Sequence, residues 1–399
     1  MNTLSQARPA ADQQPARPAM AAIVGFAAIV PAVLMMAPAV ASQLASQLQL
    51  GPIDIGTLFS AELGAMSLAT LPAFFWLPRV NWRKAAWLAV AVFIVANLLS
   101  ASTVDYPLLL TLRFVSALAG GSLMILCLSA AAALPNPDRV YGLWVMGQLL
   151  LGAAGLMVMP VLFARFGIAA CYVGLALLMA LCAPLARCFP HGRQADAHQP
   201  QPAAAGNHRG RAALGIVATL AFYISLSGVW TFVGQIARQA GIDAQHSGNI
   251  LAVATLLGVA GAGSAALIGR RLPRAQLLLA GFGMMMAAML LLLEQPAMAR
   301  FASAALLFKF SWTFILPFIL ATLADIDHSG KLMNATNLVI GGGLAIGPAL
   351  AGQLIAANQG SVRPLLLLAT LVAAIALALL LTLQQRRHTP PTPEPKEKP

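Results

Sequence analysis

Three ionisable residues, Glu62, Arg113 and Lys309, interrupt long apolar stretches of this chain. An ionised side chain in a hydrocarbon setting costs several kcal/mol unless it faces a partner or a polar cavity, so each marks a place where binding or proton chemistry is expected. Glu62 lies about 12 Å into its stretch at ~1.5 Å per helical residue, and Arg113 lies at a similar depth in another, so an ion pair between them is geometrically open. That pair also has a plain structural reading, in which the two charges only neutralise each other. Lys309 sits near the middle of its stretch, too deep for its ammonium to reach an interface by snorkelling. Two cations against one anion favour a ligand with a carboxylate or similar group, held by charge-assisted hydrogen bonds. A ligand anion competing with Glu62 for Arg113 would couple binding to the movement of a proton on Glu62.

Polar and aromatic side chains are spaced to join these charges. Tyr223, Ser227, Trp230, Thr231 and Gly234 recur at intervals of three and four and share one helical face, as do Lys309, Trp312 and Thr313. Arg113, Lys309, Tyr223, Trp230, Thr231 and Trp312 are therefore the candidate ligand contacts, with Trp230 offering an indole for stacking. For Tyr223 and Thr231, packing between helices is an equally good explanation.

The elements that must position these residues are membrane spans. The chain has 399 residues, 59% of them hydrophobic and only 9% charged, and a mean hydropathy of +0.80, whereas soluble domains carry about 25% charge. Crossing a bilayer takes roughly 20 apolar residues per helix. The apolar runs predict helices near 20–44, 54–77, 85–102, 107–133, 140–163, 167–187, 212–237, 247–268, 275–293, 298–323, 333–357 and 363–384. With twelve spans, eighteen Lys and Arg residues from Arg8 to Lys398 fall on one face, against Arg165, Arg238, Arg300 and Arg363 on the other. That bias places both termini in the cytoplasm. It also accounts for the net charge of +12 without a nucleic-acid partner, because the cations sit beside anionic inner-leaflet lipids.

Residues 1–19 read as a disordered cytoplasmic leader and 385–399, ending TPPTPEPKEKP, as a disordered tail. The polar segment 189–211 reads as a cytoplasmic linker between two nearly equal halves, 20–188 and 212–384, as a duplicated six-helix unit would give. Cys127, Cys171, Cys182 and Cys188 lie in or at the ends of spans, which argues against a disulfide framework. Phosphate loops, nucleophile elbows and zinc spacings are absent, so neither an enzyme nor a cofactor is expected. Met284, Met285 and Met286 could suggest soft-metal transport, but Met is a common filler of apolar helices, and His191, His198 and His208 lack a metal-site spacing.

The chain resembles the major facilitator superfamily over nearly its whole length. The segment after the second span, Pro78-Arg79-Val80-Asn81-Trp82-Arg83-Lys84, is similar to the family's loop signature in its basic residues but lacks the Asp and Gly. The second-half counterpart, Gly269 to Arg274, likewise keeps the cations without the acid. In this family the acid helps latch the halves, so the resemblance implies a latch that is weaker here or built differently, with Arg79 and Arg83 as its basic part. Arg113 with Gly120 and Gly121 looks like the family's fourth-span motif. Gly152 in the fifth span and Gly347-Pro348 in the eleventh supply small-residue packing and rocking surfaces, at a spacing that departs from the family's antiporter motif.

The fold class expected is therefore all-α integral membrane, with twelve helices in two pseudo-symmetric six-helix bundles. The resemblance implies a monomeric secondary transporter in an inner membrane. It would move a small organic, anionic or amphipathic solute by alternating access, coupled to protons through Glu62. Proton-driven efflux of cationic or neutral drugs is the alternative, and a non-transporting membrane sensor on the same fold is an alternative of another class.

Overall fold

A computed structural model describes residues 16–134, 136–189, 209–269, 271–326 and 331–385. Most of the expected leader, linker and tail, with His191, His198, His208 and Arg270, lies outside the described residues. All regular structure among the described residues is helical: α1 (Ala16–Ile29), α2 (Ala32–Met35), α3 (Ala37–Gln47), α4 (Pro52–Leu68), α5 (Thr70–Trp76), α6 (Trp82–Ser102), α7 (Tyr106–Ala132), α8 (Pro137–Phe166), α9 (Ala169–Cys182, extended as a 3-10 helix over Ala183–Cys188), α10 (Arg209–Gln239), α11 (Ala244–Ile268), α12 (Arg274–Leu291), α13 (Met298–Ala324), α14 (Lys331–Ala357) and α15 (Arg363–Gln385). Ten of these are long and apolar enough to cross a membrane. The first two expected spans are present but broken, the first into α1, α2 and α3 and the second into α4 and α5.

Proline accounts for the breaks. Proline has no backbone N–H, so the carbonyl four residues before it loses its helical donor. Pro31 frees the Ala27 carbonyl, which accepts a hydrogen bond from Gln148 Nε2 of α8 at 3.0 Å. Pro38 frees the Leu34 carbonyl, which accepts from Trp230 Nε1 of α10 at 2.9 Å. Pro72 stands four residues after Leu68, where α4 gives way to α5.

The twelve spans form two six-span halves, α1–α9 and α10–α15, that meet along three seams: α4 on α14, α3 on α10 and α8 on α11. Glycine lets the backbones touch there. A Cβ on Gly56 would strike the Pro348 carbonyl of α14, one on Gly234 would lie 3.0 Å from the Pro38 carbonyl carbon, and one on Gly248 would lie 2.9 Å from Pro160 Cγ. All three contacts fall in the parts of the spans remote from residues 16 and 385. Gly120, Gly121, Gly152 and Gly347 instead serve packing inside one half: Gly120 faces Val30, Gly121 faces Met66 and Ala69, Gly152 faces Met35, and Gly347 faces Ser227 and Gly228.

At the remote end Asp243 caps α11, accepting hydrogen bonds from the backbone N–H groups of Gln245 and His246 at 2.9 Å each, with the His246 ring against its other oxygen. The backbone N–H of His246, then its ring, hold the Asp243 carboxyl below its ordinary value of 3.8. A depressed carboxyl contributes stability that is complete above its ordinary value and is lost as pH falls through the folded one. Asp243→Ala should therefore lower the melting temperature at about pH 7, and the gap to the parent should narrow as pH falls below 3.8. Thermal unfolding across this pH range checks this, and a gap that stays constant would exclude the cap as its source.

Candidate functional site

The structure gathers the buried charges into two centres, one in each half. The first is built by α4, α6, α7 and α9. Arg113 is 1% exposed, and its Nη1 lies 3.7 Å from Glu62 Oε1. Two more of its donors are bonded: Nε donates to Ser100 Oγ at 3.2 Å and Nη2 to Asn97 Oδ1 at 3.0 Å. Asn97 Nδ2 in turn donates to Ser116 Oγ at 2.8 Å. The guanidinium lies over the Tyr172 ring, 4.4 Å from its centroid. A cavity of about 10 Å³, lined by Glu62 and Arg113 with Val30, Leu34, Phe59 and Leu175 among its walls, adjoins the pair. That is roughly the room of one water molecule. Glu62 Oε2 and the Tyr172 hydroxyl have no hydrogen-bond partner among the described residues.

The second centre lies where α10 meets α13. Lys309 is 2% exposed, and its Nζ stands 3.7 Å from the Trp230 ring centroid and 4.2 Å from that of Trp312. Phe308 stacks on Trp230 with centroids 6.4 Å apart and planes 7° from parallel, and Trp312 meets Trp230 edge-on at 6.2 Å. Desolvated cation–π contacts are worth about 2 kcal/mol or more. None of the ion pairs among the described residues involves Lys309. Trp230 is held from the other half by its bond to Leu34. Trp230→Phe would leave the Leu34 carbonyl buried without a donor, an expected loss of about 1–3 kcal/mol. Denaturant unfolding checks it, and an unchanged midpoint would show that water replaces the indole.

The structure thus brings Glu62 to Arg113, and Trp230 and Trp312 to Lys309, but holds Arg113 and Lys309 in separate surroundings. Tyr223 is buried edge-on to Phe222 at 5.2 Å. The Thr231 hydroxyl donates to the Ser227 carbonyl at 2.9 Å, within its own helix. Arg79 Nη1 donates to the Phe75 carbonyl at 2.6 Å, and the Arg83 backbone N–H donates to Asn81, the cap of α6, at 3.0 Å. Arg274, of the segment Gly269 to Arg274, pairs with Asp325 at the end of α13, within the second half, Nη1 to Oδ2 2.5 Å. Sequence reading missed Asn97, Ser100, Tyr172 and Phe308. The spacing of Asn97 and Ser100, three apart in an apolar run, was the available signal.

The family model described as Major Facilitator Superfamily matches residues 19–348. No curated protein matches the sequence. Among solved structures, the nucleoside transporter NupG is similar with a TM-score of 0.73 at 9% identity, over 94% of this chain and 99% of that one. A bacterial homologue of the human lysosomal transporter Spinster, in its inward-facing and unoccupied conformation, gives 0.68 at 13% identity over 94% and 98%. The POT family transporter PepTSo gives 0.69 at 12% identity over 93% and 97%.

Proposed function

This chain belongs to the major facilitator superfamily, and from that premise we propose that it carries a small organic anion or anionic amphipath across the membrane by alternating access. As a member of this family it is a multi-pass membrane transporter of small solutes and not an enzyme.

One observation carries the anion reading. The Lys309 ammonium is buried, walled by Trp230 and Trp312, and has no counter-anion among the described residues. A buried charge calls for a partner, and the solute is the group that can bring one. The indoles favour a solute whose other end is apolar. Glu62 supports proton coupling, since one carboxylate oxygen bonds to nothing described and space for about one water lies beside it. The excess of Lys and Arg on one face favours an inner-membrane location with both termini cytoplasmic. The three seams would then close the outer side of the protein, with residues 1–19, 189–211 and 385–399 as cytoplasmic segments flanking two six-span halves. A monomer suffices for this mechanism.

Thermal unfolding of the detergent-solubilised protein with organic acids and with amphipathic cations tests the reading. Stabilisation by an acid that disappears in Lys309→Met is the expected result. Stabilisation by cationic or neutral compounds that survives the substitution would replace it with the drug-efflux alternative. For the coupling, uptake into proteoliposomes should rise with an imposed proton gradient and lose that dependence in Glu62→Gln.

A further inference from the structure

We propose that the second half carries a further ligand site at its remote end, suited to a small amphipathic zwitterion that joins an ammonium and an acid group to an apolar body. The site shares no residue with the Lys309 centre and goes beyond the transport reading. A cavity of about 390 Å³ lies where α10, α12 and α14 end and α15 begins. That volume falls in the range of roughly 300–1,000 Å³ typical of small-molecule sites. Ile236, Leu292 and Leu366 give it a buried apolar floor. Two exposed side chains of opposite charge, Glu294 and Arg363, also line it. Neither belongs to an ion pair among the described residues.

Both charges stand at helix ends that disfavour them. Arg363 is the first residue of α15, where the helix attracts anions, and Glu294 follows the end of α12, where the helix attracts cations. A ligand that brings an acid group to Arg363 and an ammonium to Glu294 accounts for both at once. Its own charges then suit the helix ends that the protein's do not. The walls are set in advance. Glu294, Gln295 and Gln359 of the lining have φ of 58°, 47° and 55°, a left-handed backbone uncommon for residues other than glycine. Arg300 pins the first of these turns, donating from Nη2 to the carbonyls of Leu293 and Glu294 at 2.7 and 2.9 Å. Gln239 Nε2 ties the end of α10 to the Gly360 carbonyl at 2.9 Å.

The test is binding by isothermal calorimetry to the full-length protein in detergent, using four probes. Leucine carries both charges, leucinamide lacks the acid, isocaproate lacks the amine, and dihexanoyl phosphatidylethanolamine presents both charges on a lipid. Leucine or the lipid should bind at least roughly tenfold tighter than either single-charge probe, and Glu294→Gln and Arg363→Gln should each weaken that binding roughly tenfold. Lys309→Met should leave it unchanged while removing the acid binding proposed above, so the two readings fail separately. Preference for leucine identifies a free zwitterion and preference for the lipid a membrane headgroup, and either supports the site. If neither zwitterion binds more tightly than the single-charge probes, or if either Gln variant binds as the parent does, the site is excluded. If Lys309→Met abolishes the binding, the zwitterion sits at the other centre and this inference is overturned.

Discussion

Arg113→Leu should cost the protein about 3–5 kcal/mol of stability, the loss typical when one member of a buried ion pair is removed and the other charge stays behind. Glu62 would remain 8% exposed with its cation gone, and Asn97, Ser100 and Tyr172 would all lose the group they surround. Against a total stability of about 5–15 kcal/mol, the variant should yield little folded protein. The double variant Glu62→Gln/Arg113→Leu removes both charges and should recover more than half of the loss, because a neutral amide tolerates burial far better than a lone carboxylate. Unfolding midpoints of the parent, the two single variants and the double variant make a complete cycle. If the double variant is no more stable than Arg113→Leu, the guanidinium is held for its bonds to Asn97 and Ser100 and the pairing with Glu62 is incidental.

Lys309→Met should act with the opposite sign on stability and more strongly on function. Methionine is flexible and apolar, and replaces an ammonium that has no counter-charge among the described residues, so the melting temperature should rise. Uptake of the solute should fall about 100-fold or more, as expected when one side of a buried charge pair is removed from a binding site. Initial uptake rates and thermal unfolding on the same preparation separate the two effects. If stability and uptake fall together, the lysine is a structural residue held by its two indoles, and its binding role is overturned.

The span architecture was legible because so few charges interrupt the apolar runs, and the same scarcity exposed Glu62, Arg113 and Lys309. Pairing of Glu62 with Arg113 could be anticipated because depth along a helix is a simple count. What depth could not reveal is direction. Arg113 turns toward Asn97 and Ser100 of α6, so the expected meeting of two cations in one cavity gives way to two separate centres. Asn97 and Ser100 are neutral, and small polar residues in a span usually read as packing. The helix breaks are implied by Pro31, Pro38 and Pro72, but the groups that compensate two of them, Gln148 and Trp230, lie 121 and 196 residues from the carbonyls they reach. Glycines were equally ambiguous: Gly56 and Gly248 sit at seams while Gly121 and Gly347 sit inside a half, and sequence gives no means of sorting them. The helix limits at Ala16 and Arg209 run a few residues into the expected leader and linker, a shift that polar composition alone conceals.

The two freed carbonyls give the first span an uneven allegiance. Its middle turn, Ala32–Met35, is fastened at Leu34 by Trp230 from the other half, while Gln148 from its own half holds Ala27 of α1 just before it. If the seam between α3 and α10 parts and the turn stays with its own half, the Leu34 carbonyl loses the indole. The abandoned carbonyl then accepts from water, which substitutes for a lost hydrogen bond at a cost of about 0–2 kcal/mol. Parting at this point thus exchanges an indole donor for a water, so the cost of opening here includes wetting of the gap.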